Sequence, residues 1–295
     1  MWDLAPPALL AVFAWWFSTG LILFLDRLPA RTFPWSMAGA TLVLAAGFHG
    51  LWRSADDASV WGACVAFLSS VGVWAWLETS FLMGYVTGPR RIPPPPGAAG
   101  WRLFRLAVQT VIHHELAVLA AAIAVAWLTV GHPNPYGLWA FLAIWAMKLS
   151  AKLNIHWGAR NLGEHLLPDH LAYLRGYFTR RAMNPLFPVS IAAAAGAAAW
   201  FAAQAVAPEA APFQAAGSVM VAALFCLAAF EHVLLFIPLP AGAAWAMGFA
   251  PAVAREPGSD HPSPAAPQSR LLGAPRRTRP FLDVEPRLPA ARRSP

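Results

Sequence analysis

Long apolar runs separated by short polar segments make up most of the chain before residue 250. A membrane-crossing helix needs about 20 apolar residues, and seven runs reach that length between clusters of Pro, Gly or charge. They cover residues 5–25, 34–52, 58–86, 103–130, 137–157, 186–207 and 213–237. The pattern predicts an all-α fold, a polytopic transmembrane bundle of seven helices formed by residues 1–250.

Two segments outside the runs have a different composition. Residues 251–295 contain repeated Pro and scattered Arg with few large apolar side chains, which is typical of a disordered tail. Residues 92–96, IPPPP, favour polyproline II and predict a stiff spacer between the third and fourth helices.

Residues 160–185 form the one sizeable non-membrane segment that carries apolar side chains. Its leucines and Phe178 recur at near-helical spacing with arginines between them, which predicts an amphipathic helix at the cytoplasmic membrane surface. The polar candidates in this segment are Glu164, His165, His170, Arg175, Arg180 and Arg181.

Composition and charge agree with a membrane protein. The chain of 295 residues is 58% hydrophobic and 12% charged, and its formal net charge is +7. Lys and Arg concentrate in the loops after the first, third and fifth runs and in the tail, so the excess of positive charge on the cytoplasmic side predicts an external N-terminus and a cytoplasmic C-terminus. Anionic membrane lipid explains the positive charge without nucleic acid.

Ionisable side chains inside the predicted helices are the main functional candidates. A charge near the bilayer centre costs at least ~2.5 kcal/mol on insertion scales, so each needs a partner or a function. Counting 1.5 Å per residue from the helix ends predicts that they meet in one layer. The set is Glu78, His113, His114, Glu115, Lys148, Lys152, Glu231 and His232.

The spacing of these residues predicts which of them can pair. Lys148 and Lys152 lie four residues apart and share a helix face, so they can form ion pairs with the glutamates of neighbouring helices. Three consecutive residues, His113 to Glu115, spread over about 200° around their helix and cannot share one partner.

Several interpretations of this polar layer remain open. The side chains can be interhelical ion pairs that hold the bundle in register, or a neutral imidazole can ligate a pigment or metal. A metal-dependent membrane enzyme acting on pigment or lipid, or a proton- or ion-coupled transporter, would use the same groups. The chain has no P-loop, GxGxxG or GxSxG context. Of the two classes, we expect a non-enzymatic role over an enzymatic one.

Six strings carry a resemblance to a known family. They are STGLILFLDRLP (18–29), WLETSFLMGYVTGPRR (76–91), HHE (113–115), KLSAKLN (148–154), LPDHLAYLRGYF (167–178) and MNPLFPVS (183–190). In this order they resemble the photosynthetic complex assembly protein 2 family, PuhE type, of purple phototrophic bacteria. The resemblance covers most of residues 10–240 and supplies no catalytic residue.

The resemblance implies a multi-pass protein of the bacterial inner, photosynthetic membrane. It implies a role in biogenesis of the reaction centre and core light-harvesting complex, with their subunits or other assembly factors as partners, through bacteriochlorophyll supply or handling. The residues indicate how such a protein could bind pigment, because His113 or His114 could ligate the magnesium of bacteriochlorophyll or a precursor. Nearby aromatics such as Trp74 and Phe81 could line that pocket.

Overall fold

The computed structural model describes residues 4–237, apart from the side chain of His165. The predicted tail, 251–295, lies outside the described residues. Within them the fold is all-α, as predicted, and no β-strand occurs. The long helices are α1 (Ala5–Asp26), α2 (Phe33–Ser54), α3 (Val60–Leu82), α4 (Gly100–Thr129), α5 (Tyr136–Trp157), α6 (Leu186–Val206) and α7 (Pro212–Leu234).

Each predicted apolar run corresponds to one of these helices, and six of the helices are long and apolar enough to cross a membrane. The exception is α2, which has 22 residues. Its glycines, its tryptophans and His49 lower its mean hydropathy, although its length would suffice. Six such helices indicate a multi-pass membrane protein. That α2 also crosses the membrane, and the orientation of the two termini, stay predictions.

Helix α3 lies at the centre of the bundle. It contacts α1, α2, α4, α5 and α7, and half of its most apolar window is buried, against 22% for α1 and α6. Its side chains Phe67, Val73 and Leu77 form the middle of the main hydrophobic core. Ser70 Oγ donates to the carbonyl of Gly137 at 2.6 Å and so joins α3 to α5.

Helix α3 ends four residues before the apolar run does. Gly84 has φ +78°, a left-handed conformation that costs glycine little, and the chain turns there. The amides of Tyr85 and Val86 both donate to the carbonyl of Ser80, which closes the turn. The apolar residues up to Val86 therefore belong to a loop that folds back onto the bundle.

The predicted amphipathic α-helix over 160–185 does not form. Two 3-10 helices, Glu164–Leu166 and Asp169–Tyr177, take its place. Gly163 has φ +63°, and Pro168 interrupts a continuous α-helical hydrogen-bond pattern. Leu171 and Leu174 are buried against Phe81 of α3, so the apolar side of the segment contacts protein instead of lying on a bilayer.

The proline segment is packed against this 3-10 helix. The Tyr177 hydroxyl donates to the carbonyl of Ile92 at 2.8 Å, and Gly176 leaves room for the Pro94 ring. Arg90 Nε donates to the Tyr177 oxygen at 2.6 Å. The stretch 92–96 thus holds the 3-10 helix in place and is not a free spacer.

Candidate functional site

Two ion pairs join α5 to its neighbours, as the spacing of the lysines predicted. Lys152 Nζ lies 2.7 Å from Glu115 Oε1 of α4, and Lys148 Nζ lies 3.9 Å from Glu231 Oε2 of α7. All four side chains are about a fifth to a third exposed. One face of α5 therefore supplies both cations, and each cation pairs with a glutamate of a different helix.

The pair of Lys148 and Glu231 includes a third helix. Trp15 of α1 donates its indole N–H to Glu231 Oε1 at 2.9 Å, and its ring lies 4.8 Å from Lys148 Nζ. The cavity beside these side chains measures about 10 Å³, which holds at most one water molecule. These contacts tie α1, α5 and α7 together.

A hydrogen-bond network accounts for His232. Its Nδ1 lies 2.8 Å from the carbonyl of Ala228, so Nδ1–H is the donor. Its Nε2 lies 3.0 Å from Ser150 Oγ, within hydrogen-bond distance. Ser150 also bonds Ser190 of α6 at 2.8 Å. Both ring nitrogens are therefore occupied within the bundle, and His232 joins α5, α6 and α7.

Asn184 extends this network to the start of α6. Its Nδ2 lies 2.7 Å from the carbonyl of Gly158 and 3.1 Å from both oxygens of Asn154. Its Oδ1 accepts from the first amides of α6, those of Leu186 and Phe187. Asn184 is 3% exposed, so one buried amide caps α6 and fastens it to the end of α5.

The two adjacent histidines of α4 have opposite environments. The His114 side chain is fully buried, its ring lies 4.8 Å from that of Phe81, and neither ring nitrogen has a hydrogen-bond partner within residues 4–237. The His113 side chain is exposed on the outer face of α4 and makes no hydrogen bond to the described residues. That face also presents Gln109, Leu116, Ile123 and Trp127.

A loop fixes the turn of α4 that carries these histidines. The carbonyl of Thr87 accepts the His114 backbone N–H at 2.9 Å, and the amide of Arg90 donates to the carbonyl of Gln109 at 3.2 Å. A Cβ on Gly88 would overlap the α4 backbone at Gln109. The TGPRR loop thus enters the backbone hydrogen bonding of α4, which no sequence motif indicated.

Two carboxylates stand apart from these clusters. Glu78 is half-buried in α3 and makes no hydrogen bond or ion pair within the described part of the chain. The predicted pairing of Glu78 with a lysine of α5 is therefore not seen. Asp26 is 5% exposed at the end of α1, and neither of its carboxylate oxygens has a hydrogen-bond partner among residues 4–237. Asp26 is followed by Arg27 and Pro29, a pattern typical of the start of a solvent-exposed loop. The sequence therefore contains no sign that Asp26 is buried.

The polar residues of 160–185 have separate roles. His170 donates to the carbonyl of Leu82 from Nε2 at 2.7 Å, and its ring lies against Phe33. Arg180 pairs with Glu164 at 3.3 Å. Arg175 contacts the carbonyl of Leu167, and Arg181 lines a separate cavity.

The aromatic side chains expected around a pigment are core residues. Trp74 is 3% exposed and packs edge-on against Phe141 with ring centroids 5.7 Å apart. Phe81 covers His114. In residues 4–237 no group of three or more His, Cys, Asp or Glu is placed to hold a metal ion. The ion pairs of α5 and the hydrogen bonds of His232 and Asn184 therefore cross-link helices, and of the two α4 histidines His113 is the one open to a large ligand.

Comparisons with known proteins cover the same region. A family model described as "Protein of unknown function (DUF3623)" matches residues 1–255. A protein of Rhodobacter capsulatus, described as an uncharacterized 30.4 kDa protein in the puhA 5' region, is 40% identical over 243 residues, 81% of this chain and 88% of that protein. No solved structure matches the chain. The family match includes all seven helices and the polar clusters between them.

Proposed function

Because this chain belongs to the DUF3623 family, we propose that it is a membrane assembly factor for photosynthetic complexes. The proposed role is to assist biogenesis of the reaction centre and core light-harvesting complex in the bacterial inner membrane. The observation that carries the proposal is the description of the 40% identical relative, which places it in the puhA 5' region. That region indicates a photosynthesis gene cluster.

The geometry supports a role through contacts between proteins. The polar groups of α5 and α7 are used in interhelical bonds, and the cavity at Lys148 is too small for a substrate. Helix α4 has 30 residues and leaves one long face uncovered. An assembly factor needs such a rigid body with a surface that a partner can reach, and α4 provides one.

Deletion of the gene in its phototrophic host tests the role. We expect the absorption bands of the reaction centre and core antenna to fall, while respiratory membrane complexes keep their levels. A plasmid copy of the intact gene should restore the bands. Unchanged pigment–protein spectra in the deletion strain would refute the proposal.

A pigment-handling function is the second candidate, and the exposure of His113 favours it. A neutral imidazole is a common metal ligand, and a chlorin supplies a magnesium ion when bound. His113 fits this role because its ring is exposed on an apolar helix face. His114 does not fit, because its ring is fully buried under Phe81.

The absorption spectrum of the protein purified from phototrophically grown cells tests pigment binding. We expect a chlorin band that is lost in His113→Ala. His132→Ala is the matched control, because His132 is also exposed but lies in the α4–α5 turn beside Asp56. Absence of chlorin from the intact protein, or equal loss in both variants, would exclude ligation by His113.

A further inference from the structure

A groove of about 430 Å³ lies where α4 begins and α5 ends. Antiparallel neighbours that both cross a membrane bring these two ends to the same surface, so the groove opens at the boundary between lipid and water. Trp101 and Trp157 line it and are 70% and 46% exposed. Tryptophan is enriched at that depth in membrane proteins.

The walls of the groove are aromatic on one side. Leu103, Phe104 and His156 line it, and the rings of Phe104 and His156 pack edge-on at 5.5 Å. His156 Nδ1 donates to the carbonyl of Tyr177 at 3.0 Å, which fixes the ring. These side chains form a preformed, mainly apolar wall of the groove.

The groove also carries positive charge. Arg181 lines the groove, and its aliphatic stem packs directly over Gly158. Its guanidinium has no ion pair or hydrogen bond among residues 4–237, whereas the neighbouring Arg180 is paired with Glu164 at 3.3 Å. Among the described residues that line the groove, none is acidic. Arg181 and Thr179 both line the groove, and a guanidinium together with a hydroxyl suits a phosphate group.

We propose that this groove binds one anionic phospholipid, with the headgroup phosphate at Arg181 and the acyl chains along Leu103, Phe104 and Trp157. The charge of Arg181 selects an anionic headgroup, and the aromatic wall selects an amphiphile over a free anion. This is a defined site and differs from the general attraction of basic loops to anionic membranes. It does not depend on the proposed role in assembly.

Native mass spectrometry of the full-length protein in neutral detergent tests the site, with dioleoyl phosphatidylglycerol and dioleoyl phosphatidylcholine as probes. We expect one phosphatidylglycerol to be retained about tenfold more strongly than phosphatidylcholine, because both headgroups carry the phosphate but only choline adds a cation that repels the Arg181 guanidinium. Arg181→Gln should abolish this preference. Arg180→Gln, the matched control one residue away, should keep it.

Two further measurements separate a lipid groove from surface charge and from a simple anion site. Leu103→Trp fills the groove and leaves Arg181 in place, so it should also lose the bound lipid, and it decides the question if Arg181→Gln does not fold. Inorganic phosphate at millimolar concentration should not displace the lipid. Equal losses in Arg180→Gln and Arg181→Gln would indicate surface charge alone, and displacement by phosphate would indicate a simple anion site. Either result would overturn the proposal.

Discussion

Replacement of Lys152 by Met removes the cation from the closest ion pair among residues 4–237. The two charges lie 2.7 Å apart, which corresponds to an attraction of about 6 kcal/mol at an effective dielectric constant of about 20. Desolvation offsets much of this attraction while the pair is intact. The substitution leaves Glu115 without its counter-ion at a mostly buried position, and removing one partner of such a pair typically costs about 3–5 kcal/mol. We expect a loss of about 3 kcal/mol in the free energy of unfolding.

Lys148→Met provides the internal comparison. Lys148 Nζ lies 3.9 Å from Glu231, and Glu231 keeps the indole N–H of Trp15 at 2.9 Å after the change. One charge-assisted hydrogen bond therefore survives. We expect a loss of about 1 kcal/mol, clearly smaller than that for Lys152→Met.

Unfolding of the full chain in mixed micelles, followed by helical circular dichroism as the fraction of denaturing detergent increases, measures both losses. The double variant Glu115→Gln with Lys152→Met removes both charges and should recover about 2 kcal/mol of the loss seen for Lys152→Met alone. Equal losses for the two lysine variants, or no recovery in the double variant, would show that the ion pair at Glu115 does not stabilise the contact of α4 with α5.

Two further substitutions test the contacts around α4 and α6. Gly88→Ala places a Cβ against the backbone of α4 and should lower the free energy of unfolding by about 2 kcal/mol. Gly39→Ala meets no atom within 4 Å and lies inside α2, so it should instead raise that free energy by about 0.5–1 kcal/mol. Thermal unfolding in detergent measures both, and equal effects would contradict the close approach of the loop. Asn184→Ala should cost about 3 kcal/mol because it removes the cap of α6 and leaves buried carbonyls unpaired. Asn184→Asp keeps the capping acceptor but places a carboxylate oxygen against the carbonyls of Gly158 and Asn154, so it should cost at least as much as Asn184→Ala. A clearly smaller cost would show that the bonds donated by Asn184 do not stabilise this junction.

The sequence alone predicted the long helices because hydropathy is a local property. The fourth run, 103–130, corresponds to α4 at Gly100–Thr129, and the fifth, 137–157, to α5 at Tyr136–Trp157. Local signals also placed both lysines of α5 on one face, where the structure has them. The segment 160–185 was predicted wrongly because its apolar spacing could equally serve a 3-10 helix packed on Phe81, and spacing does not reveal which surface covers it.

The candidate site was predicted only as a set of residues. The sequence could not assign Lys152 to Glu115 and Lys148 to Glu231, since several glutamates lay at a similar depth. It also missed the burial of Asp26 and the groove at Arg181, which depend on segments distant along the chain.

The adjacent residues His113 and His114 show most directly how far the sequence alone determines the environment of a side chain. The helical period by itself determined that they point in directions about 100° apart, because backbone geometry sets that angle. Only the tertiary structure decided which direction is inward, since that depends on where α3 and the TGPRR loop pack. Phe81 and Thr87 cover His114, and His113 is left on the outer face of α4.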